Sequence, residues 1–303
     1  MSTVGVRVPA TSANLGPGFD AMGLALDWYD ELTLTPEREL IVEVTGEGAD
    51  RVPLDKRHLV VATIRRGLRA FGDDPDRGFR LRCTNTVPHS RGLGSSAAAI
   101  AAGYGLAWGL ARPDQAPDLD WICDLASEDE GHPDNAAAAV HGGAVLAWGR
   151  SDAAEDAAPG TVTGVARLQL DPRVRVRVWI PEFELPTAQA RQVLPETLPR
   201  PQVIAQASRA ALLVHALAQA PELLHEATFD WLHQQQRGSL MPRSLDLLHR
   251  LRAAGVAAVV SGAGPTVLAL GTVEQLAAAQ EIAHTGFAAH DLAIGGGLEV
   301  NAG

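Results

Sequence analysis

An α+β fold in two domains is what this sequence predicts. Strand-like runs and helical stretches are interspersed without the strict alternation of a doubly wound sheet, and no fixed-period repeat is visible. The 303 residues are 46% hydrophobic, enough for one large core or two moderate ones. Ser151 to Gly160 is acidic, rich in small residues and closed by Pro159-Gly160, so it reads as the boundary. The expected domains are 1–155 and 156–303.

The elements follow from periodicity and punctuation. Alternation predicts strands over Val4 to Val8, Leu32 to Thr35 and Leu40 to Val44. A helix is expected from His58 to Phe71 and a strand from Phe79 to Cys83. A glycine turn then leads into a low-polarity run, Ala97 to Ala111, too short and glycine-interrupted to span a bilayer. It reads as a buried helix. Leu119 to Glu128 predicts a helix and Ala144 to Trp148 a strand. Val174 to Ile180 alternates Val and Arg, the pattern of a half-exposed strand. Two or three helices are expected between Pro201 and Leu251. Short strands at Val256 to Val260, Val267 to Leu270 and Leu292 to Ile294, with a helix from Glu274 to His284, complete the chain.

The formal charge of −11 argues against a broad nucleic-acid or anionic-membrane surface. It leaves room for a local anion pocket, which needs only a few aimed donors. Cys83 and Cys123 stand in no metal-type spacing and read as buried thiols of a reduced, cytoplasmic protein. The N-terminal residues lack the charged and apolar regions of a signal peptide.

Four segments could carry chemistry. Pro9 to Leu26 holds glycines and prolines that let backbone approach a ligand, with Asn14 and Asp20 as polar groups; it also reads as a plain turn. Pro88 to Gly103, Pro-His-Ser-Arg-Gly-Leu-Gly-Ser-Ser-Ala-Ala-Ala-Ile-Ala-Ala-Gly, sets a glycine turn and two hydroxyls before a helix. Such a helix end offers free N–H groups to an anion, a polyphosphate above all. The conventional lysine-bearing phosphate loop is absent, since the single lysine, Lys56, has no glycine near it. Glu128-Asp129-Glu130-Gly131-His132-Pro133-Asp134-Asn135 gathers oxygen donors suited to Mg²⁺. His132 has no second histidine at helical spacing, which disfavours zinc. Ser261-Gly262-Ala263-Gly264-Pro265-Thr266 fits a tight turn able to touch the first glycine loop, or a simple hairpin.

In order and joint wording, Pro-Ala-Thr-Ser-Ala-Asn-Leu-Gly-Pro-Gly-Phe-Asp, Arg-Gly-Leu-Gly-Ser-Ser-Ala-Ala, Glu-Gly-His-Pro-Asp-Asn and Ser-Gly-Ala-Gly-Pro-Thr resemble the homoserine kinases of the GHMP kinase superfamily. The match runs from Val8 to about Pro265. It implies a ribosomal-protein-like N-terminal domain, a ferredoxin-like C-terminal domain, ATP, Mg²⁺, L-homoserine as substrate and a homodimer. The implied reaction, a step of threonine biosynthesis, phosphorylates the side-chain hydroxyl. Other GHMP kinases, acting on mevalonate, sugars or shikimate, and a non-catalytic nucleotide-binding relative are the competing readings.

The resemblance also implies roles by position. Pro88, His89, Ser90, Arg91, Gly92, Leu93, Gly94, Ser95, Ser96, Ala97 and Ala98 would wrap the ATP phosphates. Ser96 and Glu128 would bind Mg²⁺, with Glu130 the alternative carboxylate. Asn14 and Asp20 would face the substrate ammonium. Arg191 and Arg237 would face its carboxylate, because a guanidinium bonds a carboxylate at two points. His132, Asn135 and Thr187 would line the hydroxyl end, and His132, Asn135, Arg191 and Arg237 form the expected catalytic set. Asp134 is either a base or a helix cap. His58 stands where many relatives carry Asn at the helix start that holds adenine.

Overall fold

The computed structural model describes residues 3–150 and 162–302. Its first half contains β1 (Val4–Ala13), β2 (Met22–Pro36), β3 (Ile41–Gly46), α1 (Leu59–Ala70), β4 (Phe79–Asn85) and α2 (Ser95–Ala111). After these come α3 (Leu119–Glu130), α4 (Pro133–His141), β5 (Ala144–Arg150), β6 (Val162–Leu168) and β7 (Arg175–Pro181). The remainder holds α5 (Thr187–Gln192), α6 (Arg200–Ala218), α7 (Leu224–Ala227), α8 (Pro242–Ala253), β8 (Ala257–Val260), β9 (Val267–Gly271), α9 (Val273–Gln280), β10 (Phe287–Leu292) and β11 (Glu299–Ala302).

Two sheets organise the chain. The first runs β11-β1-β2-β4-β3, with β5 on the other end of β2 and β6 on β5. Among the described residues only β3 and β4 pair in parallel. The second runs β10-β7-β9-β8. The expected boundary stretch, 151–160, lies outside the described residues. A division at 155/156 does not separate the sheets, because β6 pairs with β5 and β11 pairs with β1. The chain's last strand thus ties back to its first.

Packing follows the side-chain periods. On the second sheet Val176, Val178, Val259, Leu268 and Leu270 face one core, shared with Leu15, Met22 and Leu24 of the first lobe. Trp179, Ala258, Val260, Val267 and Ala269 face the other, against α8 and α9. This is the period-two alternation of a sheet covered on both sides. The half-exposed reading of Val174 to Ile180 therefore holds only near Arg175: Trp179 is fully buried.

Helix α2 is buried along most of its length, as its alanines and glycines require. It lies close enough to α1 that a Cβ on Gly103 would fall 1.8 Å from Thr63 Oγ1. The bare glycine sets that approach, and the approach sets where the α2 N-terminus points. Gly103→Val should cost about 1–3 kcal/mol through overpacking. An unchanged urea midpoint would show that α1 and α2 can separate freely.

Candidate active site

The N-terminus of α2 opens into a cleft of about 670 Å³ between the lobes. Gly94, in left-handed conformation at φ +67°, is the cap, and Ser95 and Ser96 begin the helix. The ladder starts with Ala98 N–H on Gly94 O, so the N–H groups of the first turn lack intrahelical partners. A Cβ on Gly94 would lie 1.8 Å from Thr11 Oγ1 and 3.1 Å from Asn135 Oδ1. The glycine is demanded by the protein's own packing before any ligand arrives.

The segment from Pro88 to Ala98 divides into three parts. Ser90, Gly92, Gly94, Ser95 and Ser96 line the cleft. Leu93, Ala97 and Ala98 point into the core, leaving only backbone for a ligand. The Arg91 guanidinium turns away, donating to Pro181 O (3.0 Å), Glu182 O (2.6 Å) and His89 O (3.1 Å). It also pairs with Glu184 at 3.1 Å, so its part in the phosphate loop is to anchor it to the second lobe. Pro88 is outside the cleft lining.

The Ser261–Thr266 turn closes over this loop. Ser261 Oγ donates to Gly92 O (2.6 Å) and shares a hydrogen bond with Ser12 (2.8 Å). Gly262 N–H donates to Ala13 O (3.1 Å), and Thr266 N–H to Arg91 O (3.2 Å). Contact between the two glycine segments, expected from sequence, is made by the Ser261 hydroxyl and by backbone.

Opposite charges meet across the same cleft. Arg191, on α5, donates from both terminal nitrogens to Asp20, at 2.6 and 3.0 Å. Arg237 is 1% exposed yet lines the cleft. Burial, and then the Arg191 charge, draw its pKa down to about 10. Asp20 is held at φ +54°, an uncommon conformation for a residue with a Cβ. Asn14 fixes it: Asn14 Oδ1 accepts from Asp20 N–H (3.0 Å) and Nδ2 donates to Gly262 O (2.9 Å). The amide expected on the substrate ammonium is thus engaged in shaping the loop. Thr187, first in α5, borders the cleft.

At the other wall α4 begins with His132 as cap. His132 Nδ1 bonds Asp134 Oδ1 at 2.8 Å, and the same oxygen accepts Asn135 N–H at 2.7 Å. Burial opposes the imidazolium, but the bond to Asp134 and the Asp134 and Glu130 charges outweigh it, so the His132 pKa is raised. Thr11 donates to Asn135 Oδ1 (2.8 Å), which directs the Asn135 NH₂ away from that partner. Thr11 was not singled out from sequence; its hydroxyl beside that of Ser12, between the alanines that end β1, was the available signal.

The two carboxylates expected as alternatives for a metal lie in different places. Glu128 is exposed on the far side of α3 and pairs with Arg66 at 3.5 Å, outside the cleft. Glu130 lines the cleft and accepts from Ser96 Oγ at 3.0 Å. Burial raises its pKa, against the lowering pull of His132 and Ser96. Asp20, His132 and Asp134 also bring ligand atoms within 4.8 Å of one another. Their mutual hydrogen bonds and the Arg191 pair account for that cluster without an ion.

A second hollow of about 860 Å³, lined by Val8, Leu32, Val60 and Ala99, joins the cleft at Ser90, Ser95 and Ser96. His58, the α1 cap, borders it; it is 5% exposed and its Nδ1 has no partner among the described residues. No described helix is long and apolar enough to cross a membrane.

The bond to Asp134 and its charge raise the His132 pKa more than Glu130 does, so removing Asp134 leaves burial and Arg191, which favour the neutral ring, opposed by Glu130 alone. Asp134→Asn should therefore lower the midpoint of the His132 titration, followed by NMR. An unmoved midpoint would mean that the 2.8 Å contact carries no charge coupling.

Comparison with known proteins places the fold and the sequence. The GHMP kinases N terminal domain matches residues 58–143, and the GHMP kinases C terminal domain matches residues 208–288. A homoserine kinase of Cutibacterium acnes is 50% identical over 300 residues, covering 98% of each chain. The crystal structure of homoserine kinase from Cytophaga hutchinsonii superposes with a TM-score of 0.81 at 26% identity, covering 99% of this chain and 98% of that one. A putative homoserine kinase from Listeria monocytogenes gives a TM-score of 0.72 at 31% identity over 98% of both chains. By fold, by motif and by sequence over nearly its whole length, the chain belongs to the homoserine kinase family of the GHMP kinases.

Proposed function

We propose that the chain transfers the terminal phosphoryl group of ATP to the side-chain hydroxyl of L-homoserine, yielding O-phospho-L-homoserine. The carrying observation is the cleft itself. It sets a helix N-terminus with free N–H groups beside an Asp20–Arg191 pair and a buried Arg237. A zwitterion laid against a carboxylate–guanidinium pair meets each charge with its opposite. Mevalonate would leave one of those charges unmatched and a sugar both, which is costly in a partly dehydrated site. The apolar hollow beyond Ser95 suits a nucleoside, with the phosphates at the helix end.

Ser96 Oγ and Glu130 supply hard oxygen donors next to one another, the chemistry Mg²⁺ prefers, and would hold it. Mg²⁺ in such a site neutralises charge on phosphate oxygens. The chain's own residues do the positioning. Asn135, oriented by Thr11, and His132, oriented by Asp134, stand where the hydroxyl would be aligned. As the O–P bond forms and the bond to ADP breaks, the hydroxyl proton can leave late, to an oxygen of the transferred phosphoryl group and then to water, since the transition state is loose. Asp134 fits a positioning role: it is 1% exposed and one oxygen already accepts two hydrogen bonds. A cytoplasmic homodimer serving threonine biosynthesis completes this reading.

An ADP-release assay over L-homoserine, mevalonate and a sugar panel tests the function. L-homoserine should give by far the highest kcat/KM; preference for mevalonate or a sugar would refute the reading. Arg191→Ala and Arg237→Ala should each raise the homoserine KM, since unpairing a desolvated charge costs roughly 2–5 kcal/mol, with ATP affinity nearly unchanged. A wild-type KM in either variant would displace the carboxylate site. Glu130→Gln should lower kcat about a hundredfold or more, several kcal/mol of transition-state charge stabilisation. Glu128→Gln should leave kcat unchanged, and the reverse pattern would restore Glu128 as the metal carboxylate.

A further inference from the structure

Beneath the cleft lies a histidine that the reaction, as described, does not use. His233 is fully buried in the turn between α7 and α8. Its Nε2 is 2.8 Å from Gly16 O, and its Nδ1 is 3.2 Å from Arg237 Nη1. A carbonyl can only accept, so Nε2 carries the hydrogen. A guanidinium can only donate, so Nδ1 presents its lone pair. Both partners therefore dictate one neutral tautomer. Burial also disfavours a charged ring here.

The remaining contacts show what that tautomer holds. Arg237 Nε donates to Ala190 O (3.1 Å), next to Arg191, and Nη1 donates to Gly262 O (3.0 Å). With His233 taking the second Nη1 hydrogen, only Nη2 has no hydrogen-bond partner among the described residues. The Gly16 carbonyl belongs to the loop that carries Asp20. Phe19 of that loop lies over both guanidiniums, 5.6 Å from Arg191 and 5.7 Å from Arg237, and 5.3 Å from the His233 ring. Asp230 fixes the backbone that carries the ring by accepting the N–H groups of Leu232, His233 and Gln234 at 2.8–3.0 Å.

We infer that His233 is a positioning residue for substrate selection: it fixes the distance between the Asp20 loop and Arg237 and leaves Nη2 of Arg237 as the donor for the substrate carboxylate. The inference rests on the proposed carboxylate site. Asn at this position can present an oxygen near Nδ1 and so keep the bond to Arg237 while losing the one to Gly16. Gln reaches toward Gly16 and loses the bond to Arg237. Leu loses both.

A double-mutant cycle on His233 and Arg237, read as homoserine KM, ATP KM and kcat, tests this. His233→Leu should raise the homoserine KM about 10- to 100-fold, the worth of a hydrogen bond to a charged group, with ATP KM nearly unchanged. His233→Asn should recover much of that loss and His233→Gln little. In an Arg237→Ala background, His233→Leu should add almost nothing, since both act on one interaction. If His233→Leu does not fold, the order of Asn and Gln decides alone: Gln equal to or better than Asn overturns the inference. Additive effects, or losses shared equally by ATP KM and kcat, overturn it too. Arg237→Ala with a changed KM but His233→Leu without one removes this inference alone. An unchanged KM in Arg237→Ala removes the carboxylate reading and this inference together.

Discussion

The turn Ser261–Thr266 is the constraint on which the site depends. Gly262 O accepts from Asn14 Nδ2 (2.9 Å) and from Arg237 Nη1 (3.0 Å), so one carbonyl aligns the Asp20 loop and the buried guanidinium. Ser261 Oγ, on the preceding residue, holds Gly92 O at 2.6 Å and thereby the turn that feeds α2. Three segments far apart in sequence converge on two adjacent residues of the second lobe. Because these bonds are buried, breaking one strands a polar group without water, which makes the arrangement stiff as well as specific.

Electrostatics in the cleft is local and does not follow the net charge of −11. Two arginines, one at 1% exposure, share the cleft with Asp20, Glu130 and Asp134, so both signs of charge line it. It favours a guest with both charges at a fixed separation, while the helix end alongside favours phosphate.

Much of this was legible in the sequence because the motif residues are contiguous and local. The glycine turn before α2, the strand at β4 and the buried character of α2 follow from patterns within about fifteen residues. Other features depend on partners elsewhere. Glu128 and Glu130 are two positions apart on a helix, about 200° around it, so only the packing of α3 against α2 decides which faces Ser96. Asn14 reads from sequence as a substrate contact alone, and its second task, tying the Asp20 loop to Gly262 of the other lobe, appears only on folding. Trp179 ends a half-exposed pattern because α8 covers that face of the second sheet. Strand β11 has little hydrophobic alternation of its own and exists through its pairing with β1. His233 and Thr11 were missed for the same reason: each acts through one side chain brought close by folding.

The most direct measurement of the account is a crystal structure with L-homoserine and a non-hydrolysable ATP analogue bound together. The account predicts the substrate ammonium on Asp20, its carboxylate within hydrogen-bond reach of Arg191 and of Arg237 Nη2, and its hydroxyl near Asn135. The terminal phosphate should sit on the N–H groups of Ser95 and Ser96, with the metal between Ser96 and Glu130. An amino acid bound in the reverse orientation or outside the Asp20–Arg191–Arg237 wall would contradict it, as would phosphates away from the α2 N-terminus.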